Sequence, residues 1–143
     1  MASTDMIKNL SSLVQLDIDA SHAYDQAIEQ IDTLSIRNEL IKFRGDHERH
    51  IDELSALIRK LGGTPPERSR DFKGYLIEGF TALRSSTGTE GALKAMQGNE
   101  KLTNKQYDKA RSYDLTPEAK TLVERNYLDE VAHLKYIESV LAK

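Results

Sequence analysis

The stretch Asp46–Gly63, DHERHIDELSALIRKLGG, places His47, His50, Ile51, Leu54, Leu57, Ile58 and Leu61 on one line at three- and four-residue spacing. That period belongs to a helix with one face turned inward. Leu40 and Phe43 extend the line backwards, and Gly62-Gly63 supplies a natural helix end. Two imidazoles therefore stand on an otherwise apolar stripe.

Three further segments show the same pattern. The first runs Leu10, Leu13, Asp17, Ala20, Tyr24, Ala27, Ile31, with Asp17 interrupting an apolar line. A later one runs Leu93, Met96, Glu100, Thr103, Tyr107, Ala110, and the last runs Val123, Tyr127, Glu130, His133, Leu134, Ile137, Leu141. Asp32-Thr33-Leu34-Ser35 separates the first two segments with turn and cap residues. Asp114–Glu118 separates the last two, with Thr116 placed to cap and Pro117 at the first helical position. Both links are short, so each pair is expected to form an antiparallel hairpin. The link from Gly62 to Gly91 is long, and within it Phe72, Tyr75, Leu76, Phe80 and Leu83 repeat at helical spacing. A short extra helix is expected there, between the loops TPPERSR and SSTGTEG.

Composition narrows the chemistry. The chain has 143 residues, 38% hydrophobic and 30% charged, which suits one water-soluble domain. A formal net charge of −3 without a long basic block points away from nucleic acid. No run of about 18 apolar residues is present, so no membrane span is expected. The N-terminus lacks a secretory pattern, and a cytoplasmic location is the default expectation. With no cysteine, thiolate catalysis and thiolate-bound metal are excluded. Only carboxylates, His, Tyr, Ser, Thr and Lys remain for chemistry.

An internal repeat places the odd polar residues. Shifting the chain by 83 residues aligns Leu10 with Leu93, Asp17 with Glu100, Tyr24-Asp25 with Tyr107-Asp108, Asp46 with Asp129, His47 with Glu130 and His50 with His133. Few pairs are identical, but the polar interruptions of the stripes fall on one another. The hairpin geometry agrees. Asp17 and His50 are equally far in sequence from the first turn, each roughly 25 Å along its helix at about 1.5 Å per residue. Glu100 and His133 are likewise equidistant from the second turn. Residues three apart share a helix face, so His47 joins His50 and Glu130 joins His133. With both stripes turned inward, Asp17, His47, His50, Glu100, Glu130 and His133 meet at one level. An unpaired carboxylate in an apolar core costs several kcal/mol, so such a set must satisfy itself or hold a cation.

The phrases LDIDASHAYDQAI, DHERHIDELSALIRKLGG, DFKGYLIEGFTALRSSTGTEGALKAMQGNEKLTNKQYDKA and VERNYLDEVAHLKYIE resemble the ferritin-like superfamily, and more narrowly the bacterial DUF2383 group of four-helix-bundle proteins. The resemblance implies an all-α, ferritin-like four-helix bundle over residues 1–143: two antiparallel hairpins joined by a long crossover. It also implies a di-iron or di-manganese carboxylate site, built from a Glu on each of two helices and Glu-x-x-His on each of the other two. Glu100 matches the first kind of position, and Glu130 with His133 the second. Asp17 is one methylene shorter than the pattern. His47 puts an imidazole where a bridging Glu is expected. Three carboxylates and three His fit one metal ion, an unequal pair, or a nitrogen-richer preference such as Zn.

Around these six, Tyr24 and Tyr107 lie two turns along from Asp17 and Glu100, as hydrogen-bond partners of the site or as aromatic fillers. Asp46 and Glu48 fall off the stripe and are considered only as outer partners. His22 lies among Asp19, Gln26 and Glu29 and reads as surface, and the basic cluster Arg68, Arg70, Lys73 reads as a solvated loop. If the apolar face of the crossover helix is partly exposed, it becomes a homodimer surface.

The leading functional reading is a ferritin-like protein that binds one or two Fe or Mn ions in the bundle core, with O2 or peroxide as the partner of any redox chemistry. Its main alternative is a non-catalytic, stress-associated or partner-binding bundle with a structural polar core. A third is hydrolysis or elimination at a Zn-bound water. No substrate pocket is legible, so no organic substrate is named. Because imidazoles must be neutral to bind, metal is expected to leave between roughly pH 4 and 6.

Overall fold

A computed structural model describes residues 4–68 and 88–143. It contains α1 (Thr4–Gln30), α2 (Leu34–Lys60), α3 (Gly88–Ala110) and α4 (Pro117–Leu141), and no strand among the described residues. The apolar segment Phe72–Leu83, expected to form a short crossover helix, lies outside the described residues, as do Arg70 and Lys73.

The helix ends follow the local chemistry. Thr116 accepts a hydrogen bond from the Ala119 amide at 3.3 Å, with Pro117 opening α4. Thr33 occupies the corresponding place before α2 but makes no side-chain cap bond. At the far end of α2, Gly62 takes φ +92°, a conformation that favours glycine. A Cβ on Gly63 would lie 2.6 Å from the Ile7 side chain, so this turn closes tightly onto the start of α1.

α1 packs against α2 and α3, and α4 against α3 and α2, while the diagonal pairs stay apart. The Asp32 amide donates to the Thr89 hydroxyl at 3.0 Å, so α3 starts at the end of the bundle where α1 finishes. The chain must therefore travel the length of the bundle between α2 and α3, as expected for two hairpins joined by a long crossover. Every adjacent pair is antiparallel.

The core falls into two apolar blocks. One gathers Leu10, Leu13, Val14, Leu54, Leu57, Ile58, Leu115 and Val123 near one end. The other gathers Ala27, Ile28, Leu40, Phe43, Leu93, Met96 and Ile137 near the other. Between them lies a storey of buried polar side chains, which contains all six residues singled out from the stripes. No helix among the described residues is long and apolar enough to cross a membrane.

Candidate metal centre

Asp17, His47, His50, Glu100, Glu130 and His133 are each 0–1% exposed. They form two overlapping groups of four. Asp17, His47, His50 and Glu130 make one, and His47, Glu100, Glu130 and His133 the other; within each group, one ligand atom per residue lies within 4.8 Å of the rest. The repeat and the hairpin register thus bring the whole expected set to one point, with His47 and Glu130 common to both groups.

The bonds follow the two-fold repeat: the phenol–carboxylate bonds and the outer imidazole–aspartate bonds cross between hairpins, while the inner imidazole–carboxylate bonds stay within one. The Tyr24 hydroxyl donates to Glu100 at 2.8 Å, and the Tyr107 hydroxyl donates to Asp17 at 2.5 Å. His50 Nδ1 lies 3.0 Å from Asp17, and His133 Nδ1 lies 2.9 Å from Glu100. The outer nitrogens repeat the pattern: His50 Nε2 reaches Asp129 at 2.9 Å and His133 Nε2 reaches Asp46 at 2.8 Å. Both tyrosines are thus hydrogen-bond partners of the cluster as well as core aromatics. Thr103 adds a bond to Glu100 at 2.6 Å. Phe43 stacks on the His133 ring with centroids 4.3 Å apart.

The symmetry breaks at one pair. His47 Nδ1 bonds Asp17 at 2.7 Å, but its Nε2 has no hydrogen-bond partner and lies 3.9 Å from Glu100. Glu130 sits 3.4 Å from His47 and 3.0 Å from His133, yet neither of its oxygens makes a well-formed hydrogen bond. The unsatisfied atoms of the storey therefore include the three at its centre. That is the condition in which a buried polar group is costly.

Electrostatics within the cluster are strongly coupled. Burial opposes ionisation of Asp17, but His50 and His47 outweigh it and hold its carboxyl down at about 2. Glu100 is likewise held at about 2, burial being outweighed by His133 and His47. Glu130 is pushed up to about 7, by burial first and then by the Glu100 charge. Burial disfavours charge on His50 and His133, but Asp17 and Asp129 raise the first to about 10, while Glu100 and Asp46 raise the second to about 12. His47 is raised too, Glu130 and Asp17 outweighing burial. Without metal, the carboxylates and imidazoles thus largely neutralise one another.

Asp129 was missed as a partner of the site, and Asp46 was ranked only as an outer candidate. Both are half-buried at the α2–α4 seam, where Arg49 pairs with Asp129 and approaches Asp46 at 3.5 Å. Their alignment in the repeat was the available signal. Glu48, the other outer candidate, instead accepts from Ser21 at 2.7 Å and pairs with Arg68. His22 is half-buried and lies off the cluster, lining a small cavity with Asp25, Glu48 and Arg68. Asp19, assigned to a polar face, is fully buried and accepts from Gln15 at 3.0 Å.

The family model described as "Domain of unknown function (DUF2383)" matches residues 5–112, and the chain belongs to that family. A comparison with curated proteins returned no match.

Proposed function

We propose that this DUF2383 protein holds one or two divalent metal ions in the middle of its bundle, with Asp17, His47, His50, Glu100, Glu130 and His133 as ligands. The observation that carries this reading is the buried, unpartnered set of His47 Nε2 and both Glu130 oxygens at the overlap of two four-residue groups. A divalent cation would satisfy all three atoms. The donor set of carboxylate oxygens and imidazole nitrogens suits Fe and Mn, with Zn as the alternative.

The residues around the six fit such a role. Asp46 and Asp129 take the outer ring nitrogens of His133 and His50, which fixes ring orientation and leaves Nδ1 facing the cluster. Tyr24 and Tyr107 orient Glu100 and Asp17. The two apolar blocks keep bulk water away from the storey. When bound, Fe or Mn would supply one-electron chemistry toward O2 or peroxide, whereas Zn would supply Lewis acidity.

The competing reading is a purely structural polar core. It draws support from the near-complete hydrogen bonding of Asp17, Glu100, His50 and His133. Elemental analysis of purified protein, followed by titration with Fe(II), Mn(II) and Zn(II), separates the two. Near-stoichiometric metal supports the centre. Protein that carries only traces and takes up none is a structural bundle.

A further inference from the structure

A centre buried between two apolar blocks needs a way in, and the four seams of the bundle differ at its level. Across α3–α4, the Asn104 side chain donates to the Glu100 and Glu130 carbonyls at 2.7 and 2.9 Å and ties the two helices together. α1 and α3 pack closely, and Leu16, Ala20, Asn99 and Thr103 on them are at most 2% exposed. On the α1–α2 side a small cavity opens beside Ser21 and His22, but Ile18 and Ile51 line it and none of the six does.

The α2–α4 seam is different. These helices pack more loosely than α1 and α3. Asp46 and Asp129 keep 31% and 27% of their side chains exposed there, and they bond the outer nitrogens of His133 and His50. Among the described residues, none of the contacts given for the other three seams joins an exposed side chain to a side chain of the six. At α2–α4, polar contact runs unbroken from solvent to the storey.

We propose that divalent cations enter and leave the centre through the α2–α4 seam, with Asp46 and Asp129 receiving the ion and Arg49 acting as the gate over them. This route rests on the metal-centre reading above and adds to it the path and the residue that controls it.

Arg49 fits the gate by its place. Its guanidinium pairs with Asp129, and its nitrogens lie 3.5 Å from Asp46 and from Glu53, so it spans both receiving carboxylates. The side chain is 42% exposed, and ion pairs this open are weak. It can swing into solvent while the core packing stays intact. With it aside, Asp46, Asp129 and Glu53 face the opening against Arg125, which pairs with Glu53. A cleft with an excess of one charge concentrates counter-ions and speeds their arrival. The carboxylate oxygens also replace water that the ion sheds on its way in. His133 and His50 form the inner step, because each joins a seam carboxylate on one side to a storey carboxylate, Glu100 or Asp17, on the other.

Stopped-flow uptake of Co(II) by metal-free protein, release of Co(II) to a chelator, and the equilibrium dissociation constant together test the route. Arg49→Gln should speed uptake and release alike, by roughly threefold to tenfold, and leave the dissociation constant within about twofold. Asp46→Asn should slow uptake by about threefold or more and weaken its dependence on salt. A residue that merely orients His133 would change release and leave uptake alone. Arg44→Gln, which opens the Asp25 pair at α1–α2, and Arg111→Gln at α3–α4 should leave both rates at the wild-type value. Faster exchange in either of these, with Arg49→Gln unchanged, would overturn the route. So would an Arg49→Gln that speeds release alone and loses affinity in proportion. A wild type that takes up no Co(II) at equilibrium would overturn the metal-centre reading itself, and the route with it.

Discussion

The Tyr107 hydroxyl on α3 donates at 2.5 Å to Asp17 on α1, so a buried carboxylate of one hairpin is satisfied by a phenol of the other. Tyr24 returns the same bond to Glu100 at 2.8 Å. Replacing either tyrosine by Phe strands a buried charged acceptor, which costs roughly 1–3 kcal/mol. Urea unfolding of metal-free Tyr107→Phe and Tyr24→Phe should show losses of that size. Unchanged midpoints in both would mean that the hydroxyls do not support the carboxylates.

The pH dependence of the metal-free protein follows from the same cluster. His50 and His133 are raised from 6.5 to about 10 and about 12. A histidine raised on folding stabilises fully below its unfolded value and loses that contribution as pH climbs through the folded one. Stability from these two is therefore complete below pH 6.5 and falls above it, that of His50 being lost as pH climbs through about 10 and that of His133 through about 12. Asp17 and Glu100 act on the acid side: lowered from 3.8 and 4.5 to about 2, they stabilise above their unfolded values and lose the effect as pH falls toward 2. Glu130, raised from 4.5 to about 7, contributes most below 4.5 and loses its share as pH rises through 7. Chemical unfolding from pH 3 to pH 10.5 is the measurement; a flat profile above pH 9 would contradict the paired histidines.

Metal binding must displace these protons. The expected loss of metal between roughly pH 4 and 6 assumes ordinary imidazoles. The carboxylate partners move proton competition upward, so affinity should keep rising with pH past neutrality. Titrations in buffers of different ionisation enthalpy at pH 7 should show net proton release, reduced in His50→Ala. Binding with no proton release would argue against imidazole ligands.

His133→Ala should lower bound metal strongly, while His22→Ala should leave it unchanged, because His22 lines a separate small cavity with Asp25, Glu48 and Arg68. Equal effects from the two would remove the case for specific ligand roles.

Arg49 spans the α2–α4 seam over Asp46 and Asp129, the half-exposed carboxylates that touch His133 and His50. Arg49→Gln should speed loss of metal to a chelator by roughly threefold to tenfold, the scale of one or two partly exposed ion pairs. Arg111→Gln, which breaks a similarly exposed pairing with Asp108 and Glu124, is the control expected to leave the rate unchanged.

The bundle and the six-residue storey were legible because two independent periodicities met. Helical stripes showed which residues turn inward, and the distances from each turn put Asp17 beside His50 and Glu100 beside His133. The outer partners were harder to see. Asp46 and Asp129 fall off the apolar stripe, but an imidazole is long enough for its far nitrogen to reach the seam between helices. Spacing along one helix does not reveal such a reach. Asp19 illustrates the other limit: it lies off the apolar stripe of its helix and is nevertheless fully buried. The hydroxyls of Tyr24 and Tyr107 were ambiguous for a related reason, since bonds between hairpins depend on a rotation of one against the other that sequence does not encode simply.

Nearly every polar contact described for one hairpin has its counterpart in the other, and for the phenols and the outer imidazole nitrogens the recipient lies across the bundle. Two identical half-length chains, dimerising about the same axis, could make both phenol–carboxylate bonds and both imidazole–aspartate bonds. What such a dimer could never do is place a histidine on one side of its axis and a glutamate on the other. The His47/Glu130 difference thus requires two non-identical halves, and carrying both in one chain joined by the crossover fixes them at one of each per bundle.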